Sequence, residues 1–115
     1  MKKLTVQEAS SRMPDKIKIG GHVYTIKAVE ACSDNPDDFG TMDSDRLIIE
    51  VSTRSATVSQ FAATLIHEVL HAIWYDRDLG KRPDEEKVVS QFDAGLNQIF
   101  TDNPKIVKWL QMCYR

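Results

Sequence analysis

His67, Glu68 and His71 stand in the segment TLIHEVLHAIW, Thr64 to Trp74, with the histidines four residues apart and the glutamate directly after the first. On a helix, residues four apart lie one above the other, so both imidazoles can address one metal ion. Glu68 is then turned about 100° from His67, beside the ion and not on it. A general base that takes a proton from water belongs there. Zinc suits the pair. It accepts imidazole, has no redox chemistry and lowers the pKa of a bound water to about 7. The chemistry expected of these three residues is hydrolysis.

The flanking sequence predicts the helix that this chemistry needs. Thr57-Val58-Ser59-Gln60 matches a capping box, with Thr57 as N-cap and Gln60 reaching back, and the helix is expected to run to about Asp76. With Leu65 at zero, Val58, Phe61, Leu65, Val69 and Ala72 fall within about 40° and form a core face. Ala63, Leu70 and Trp74 lie near the opposite side. Gln60, Thr64, His67, Glu68, His71 and Tyr75 share one arc of about 100°. An ordinary solvent face mixes Lys, Arg and Glu, whereas this chain has no Lys or Arg from Gln60 to Tyr75. The stripe therefore reads as the wall of a cleft.

A catalytic zinc keeps three protein ligands and one open position, and no histidine follows His71. Trp74 and Arg77 occupy the positions where a metzincin carries Gly and His, which excludes that class. His22, beside a Gly-Gly pair, reads as a surface strand residue. Asp76 and Asp78 are too close along the chain to fold back onto the ion. The acidic start of the next helix remains, Asp84-Glu85-Glu86. With Phe92 at zero, Glu85 falls at about 20°, in the core face, and Glu86 near 120°, on its flank. Helical phase leaves both open, and an acidic first turn that complements the helix dipole is the plainer alternative.

HEVLH followed by EEKVVSQF resembles the gluzincin pattern, HExxH plus a downstream glutamate on a second helix. Within that pattern the chain is similar to small HExxH metallopeptidase-like proteins of bacteriophages and prophages, through KIKIGGHVYTI, LIHEVLHAIW and DNP. The resemblance implies a minimal zincin-like metallopeptidase with Zn²⁺ on His67, His71 and Glu86, and Glu68 as general base. Its register sets the ligand glutamate two residues before an apolar residue and six before an aromatic one, which selects Glu86 ahead of Glu85. Ser90 stands where larger gluzincins carry an acid that supports a zinc-bound histidine, and Asp93 is the residue that would substitute. The resemblance also implies a peptide or protein substrate and a host-cytoplasmic setting. No second lobe closes the cleft, so a protein partner is expected to complete it.

In this reading Glu68 returns its proton to the leaving amine. Tyr75 either assists the oxyanion or is an amphipathic rim residue. The strand Leu47 to Val51 is expected at the cleft edge, where an extended substrate would add as a further strand. A second class of function competes: a catalytically silent zinc-binding protein-interaction module of phage origin. Glu68 argues against a purely structural metal, which has no use for an adjacent base.

The elements that must hold this site read as α+β. KIKIGGHVYTIKAVE alternates around Gly20-Gly21 and predicts a hairpin. A second strand pair is expected around Asp43-Ser44-Asp45, giving a small antiparallel sheet. A second helix is expected from Asp84 to Phe100, packed through Val88, Val89, Phe92, Leu96 and Ile99. A short third helix follows Pro104, with Ile106, Val107, Trp109 and Leu110 as its packing residues. Residues 1–14 read as a loose or weakly helical lead-in to a single domain spanning 1–115.

The 115 residues carry a formal net charge of -2, which disfavours nucleic acid as a partner. Lys81, Arg82, Lys105, Lys108 and Arg115 are the only local basic support for one. No apolar run approaches the ~20 residues of a membrane helix, and MKKLTVQEAS has no signal-like apolar core. Cys32 and Cys113 form no CxxC pair and are expected as reduced thiols. A cytoplasmic protein without a membrane partner is the expectation.

Overall fold

Thr5 opens a capped helix where a loose or weakly helical lead-in is expected. Its hydroxyl accepts from the Glu8 N–H and the Glu8 carboxylate accepts from the Thr5 N–H, a reciprocal capping box that starts α1 (Val6–Arg12). Val6, Ala9 and Met13 pack against the core, so this segment belongs to the fold. The computed structural model describes residues 4–81 and 83–114. Arg82, Arg115 and the first three residues of the expected lead-in lie outside the described residues.

The chain then forms β1 (Lys16–Ile19), β2 (His22–Val29), β3 (Gly40–Asp43), β4 (Ile48–Ser52), α2 (Val58–Asp76), α3 (Glu85–Asp102) and α4 (Pro104–Cys113). β1 and β2 make the expected hairpin, pairing Ile19 with His22. Of the two glycines at its turn, Gly20 alone takes positive φ, at 60°. A side chain there would also run into the Asp76 carboxylate at the end of α2.

The sheet corrects the all-antiparallel expectation. Its order is β1-β2-β4-β3, and β2 pairs with β4 in parallel. β4 is the most apolar strand, with Ile49 and Val51 fully buried, and such a strand suits an interior place. The short, polar β3 suits an edge. Between β2 and β3, residues 30–39 cross the sheet face opposite α2. Glu50 and Ser52, on that face of β4, hold the crossing through Ser33 and the Glu30 carbonyl. β4 begins one residue later than expected, because Leu47 takes φ 57° in the β3–β4 turn. Its side chain still packs against the core.

α2 lies on the other sheet face. Phe61 and Ala72 join Ile19, Tyr24, Ile49 and Val51 in the core, with Leu65 and Val69 against them, as the helical phase predicts. The Thr57 hydroxyl accepts from the Gln60 N–H. Gln60 reaches one residue further back than a capping box does, accepting from the Ala56 N–H.

α3 packs on the second apolar side of α2, where Leu70 and Trp74 meet Val88 and Val89. Its expected core face is corrected: Val89 is buried, but Phe92 is 64% exposed and Ile99 is exposed as well. The physical reason is that, among the described residues, α3 packs mainly on α2 and α4 and not on the sheet. The α4 expectation is corrected likewise, since Val107 and Leu110 are half-buried while Ile106 and Trp109 are exposed. Cys32 is buried, Cys113 is exposed, and neither is bonded. Among the described residues no helix is long and apolar enough to cross a membrane.

Candidate metal centre and its cleft

The polar stripe of α2 lines a cleft of about 700 Å³, closed on one side by β3 and on another by α3. Gln60, Thr64, His67, Glu68 and His71 all border it. Tyr75 is exposed and borders a neighbouring cavity with Met42 and Trp74, so it is a rim residue and not a companion of Glu68. His22 is exposed on β2, 4.0 Å from Asp76, and takes no part.

His67, His71 and Glu86 converge, with one ligand atom from each lying within 4.8 Å of the others. The Nε2 atoms of the two histidines are 3.2 Å apart. Glu86 faces both: Oε1 is 2.8 Å from His67 Nε2 and Oε2 is 2.8 Å from His71 Nε2. Ser90, where an acid was the family expectation, donates to Glu86 Oε1 at 3.4 Å.

The far side of each ring is also engaged. His67 Nδ1 donates to Asp93 Oδ2 at 2.5 Å, and His71 Nδ1 donates to Glu85 Oε2 at 2.7 Å. Adjacent glutamates at the start of α3 thus have different neighbours, Glu86 the two Nε2 atoms and Glu85 one Nδ1. An ionised carboxylate only accepts, so each Nδ1 carries a proton. Glu86 faces both Nε2 atoms at 2.8 Å, an arrangement that calls for positive charge between rings and carboxylate, carried by protonated rings or by a bound cation. The donor set therefore fits a cation. Two imidazoles and a carboxylate form a catalytic zinc set, and carboxylates behind the histidines are the support such rings use.

Burial of the His67 ring works against its charged form. The hydrogen bond to Asp93 and the nearby Glu86 and Glu68 carboxylates outweigh it and hold the pKa above the usual histidine range.

Glu68 is only 8% exposed. Burial pushes its pKa up; the two histidines pull it down, and Glu86 and Asp38 add to the rise. No protein donor is within hydrogen-bond reach of its carboxylate among the described residues, and it faces the cleft.

The expected cleft edge is corrected. β4 lies between β2 and β3 and has no free edge to accept a strand. The strand whose outer edge borders the cleft is β3, with Phe39 to Met42 along the wall and Asp34 and Asp38 beside it. Sequence reasoning missed this segment. Its one signal was a glycine, Gly40, opening a strand, which marks close approach by another part of the chain.

Comparison with protein-family models, curated proteins and solved structures yields no match to this chain.

Proposed function

We propose that this chain is a zinc-dependent metallopeptidase of a minimal zincin-like kind, hydrolysing peptide bonds in extended peptide or protein substrates. One observation carries the reading. Two imidazole nitrogens and a carboxylate converge, both rings are braced from behind by carboxylates, and a buried glutamate with no protein donor among the described residues stands beside them.

His67, His71 and Glu86 would hold the metal. Zinc, when bound, acidifies water and polarises a carbonyl oxygen. Asp93 and Glu85 keep the rings in the tautomer that turns Nε2 inward. Glu68 accepts the proton of the attacking water and delivers it to the leaving amine. Its buried, donor-poor surroundings raise its proton affinity and suit it to hold a proton between those steps. The outer edge of β3 borders the cleft, and an extended peptide paired there would lie along the wall that contains Glu68.

Metal analysis of the purified chain should find about one zinc per molecule, and a broad peptide library should contain a cleaved member. A chain that takes up no zinc after reconstitution sinks the reading. A chain that holds zinc and cleaves nothing in the library favours a zinc-binding interaction module, which the exposed Phe92, Ile99 and Trp109 side chains would suit.

A further inference from the structure

We propose that Gly40 is a positioning residue for Glu68, and that the missing side chain at this point of the edge strand sets where the carboxylate stands. The inference rests on the reading of Glu68 as general base.

Gly40 is the first residue of β3 and pairs with the fully buried Val51 of β4. The carbonyl of Phe39, just before it, accepts from the Ser52 N–H at 2.7 Å. Gly40 is absent from the positive-φ residues, so its backbone would accept any side chain. Space would not. A Cβ at this position lies 2.6 Å from Thr64 Cγ2, 3.1 Å from Glu68 Cγ and 3.1 Å from Glu68 Oε2. Carbon atoms in contact sit about 3.5–4.0 Å apart.

Neither backbone can retreat freely. β3 is paired to the central β4, and α2 is seated in the core through Phe61 and Ala72. The Thr64 hydroxyl donates to the Gln60 carbonyl at 2.9 Å, which fixes the rotamer that carries its methyl toward the strand. Glu68 has no such tether among the described residues. A methyl group at position 40 is accommodated by displacing the Glu68 side chain, by turning Thr64, or by both. Gly40 therefore lets bare backbone cover one side of Glu68, excluding water there without touching the histidines.

The test uses Gly40→Ala, Thr64→Ser and the double variant, each loaded with zinc. Serine keeps the hydroxyl and removes the methyl that the new Cβ would strike. Gly40→Ala should lower kcat about a hundredfold, the scale of a 1 Å misplacement. It should leave KM within about twofold, since ground-state binding is not what it removes. Zinc content should be unchanged. Against Thr64→Ser as reference, adding Gly40→Ala should cost far less. The melting temperature of the zinc-free chains gives a readout independent of activity, with a drop for Gly40→Ala that the double variant largely recovers.

Gly40→Ala with wild-type kcat overturns the positioning role alone, as does a loss of cleavage that follows from lost zinc. If Gly40→Ala does not fold, recovery of folding and cleavage in the double variant supports the proposal, and an unfolded double variant overturns it. A wild type that cleaves nothing overturns the peptidase reading, and the positioning role with it.

Discussion

Glu50 and Glu68 are buried to the same degree, each 8% exposed, yet they sit in opposite surroundings. Glu50, on β4, accepts from the Ser33 N–H at 2.9 Å, the Ser33 hydroxyl at 2.8 Å and the Thr41 hydroxyl at 3.4 Å. Burial alone would raise its pKa, but these bonds outweigh it, with help from Lys27, its register partner on β2, and the net shift is downward. Glu68, on α2, has no protein donor among the described residues and its net shift is upward. Burial is thus no guide to what a carboxylate does. Its donors are. Glu50 uses its charge to hold Ser33 and Thr41, while Glu68 turns its carboxylate to the cleft.

The largest break in that comparison should come from Glu68→Gln. Removing the base should slow peptide cleavage by about 10²–10⁴-fold, with zinc content unchanged. It should cost no stability, because the amide relieves a desolvated carboxylate that no donor among the described residues satisfies. Cleavage kinetics, metal analysis and a melting curve on one preparation read all three. A loss of cleavage explained by lost zinc would remove the distinction between base and ligands.

Glu50→Gln should behave in the reverse sense. Its amide nitrogen must turn a donor toward Ser33 or Thr41, so the chain should lose about 2 kcal/mol of unfolding free energy in urea. Little or no loss would make Glu50 a bystander and undo the contrast.

A smaller effect follows from pH. The folded pKa of Glu50 lies below its unfolded value. Its stabilisation is therefore full above the unfolded glutamate value of about 4.3 and is lost as pH falls through the folded one. The acid limb of the stability profile should be shallower in Glu50→Gln than in the wild type. Parallel profiles would assign the acid loss to other carboxylates.

Local signals were legible wherever a short stretch of chain carried the whole instruction. The α2 stripe could be read because 3.6 residues per turn fixes which side chains share a face. Thr5-x-x-Glu8 has the spacing of Thr57-x-x-Gln60, but with no long apolar period behind it the segment reads only as loose or weakly helical. The α3 face misled because apolar periodicity says which residues prefer burial and not whether anything is there to cover them. Phe92 had the period and lacks the neighbour.

By itself the sequence determined the elements from β1 to α4, the hairpin turn at Gly20, and the stripe that brings His67, Glu68 and His71 onto one side of a helix. Only the tertiary structure decided the parallel pairing of β2 with β4, because strand order is a contest between distant segments for the buried centre of a sheet. Only it separated Glu86, which faces both Nε2 atoms, from Glu85, which faces His71 Nδ1. Adjacent residues on a helix differ by about 100° in direction, and which direction meets the histidines depends on how α3 lies across α2. It alone also brought Gly40 against Glu68, a contact between residues 28 positions apart in the sequence.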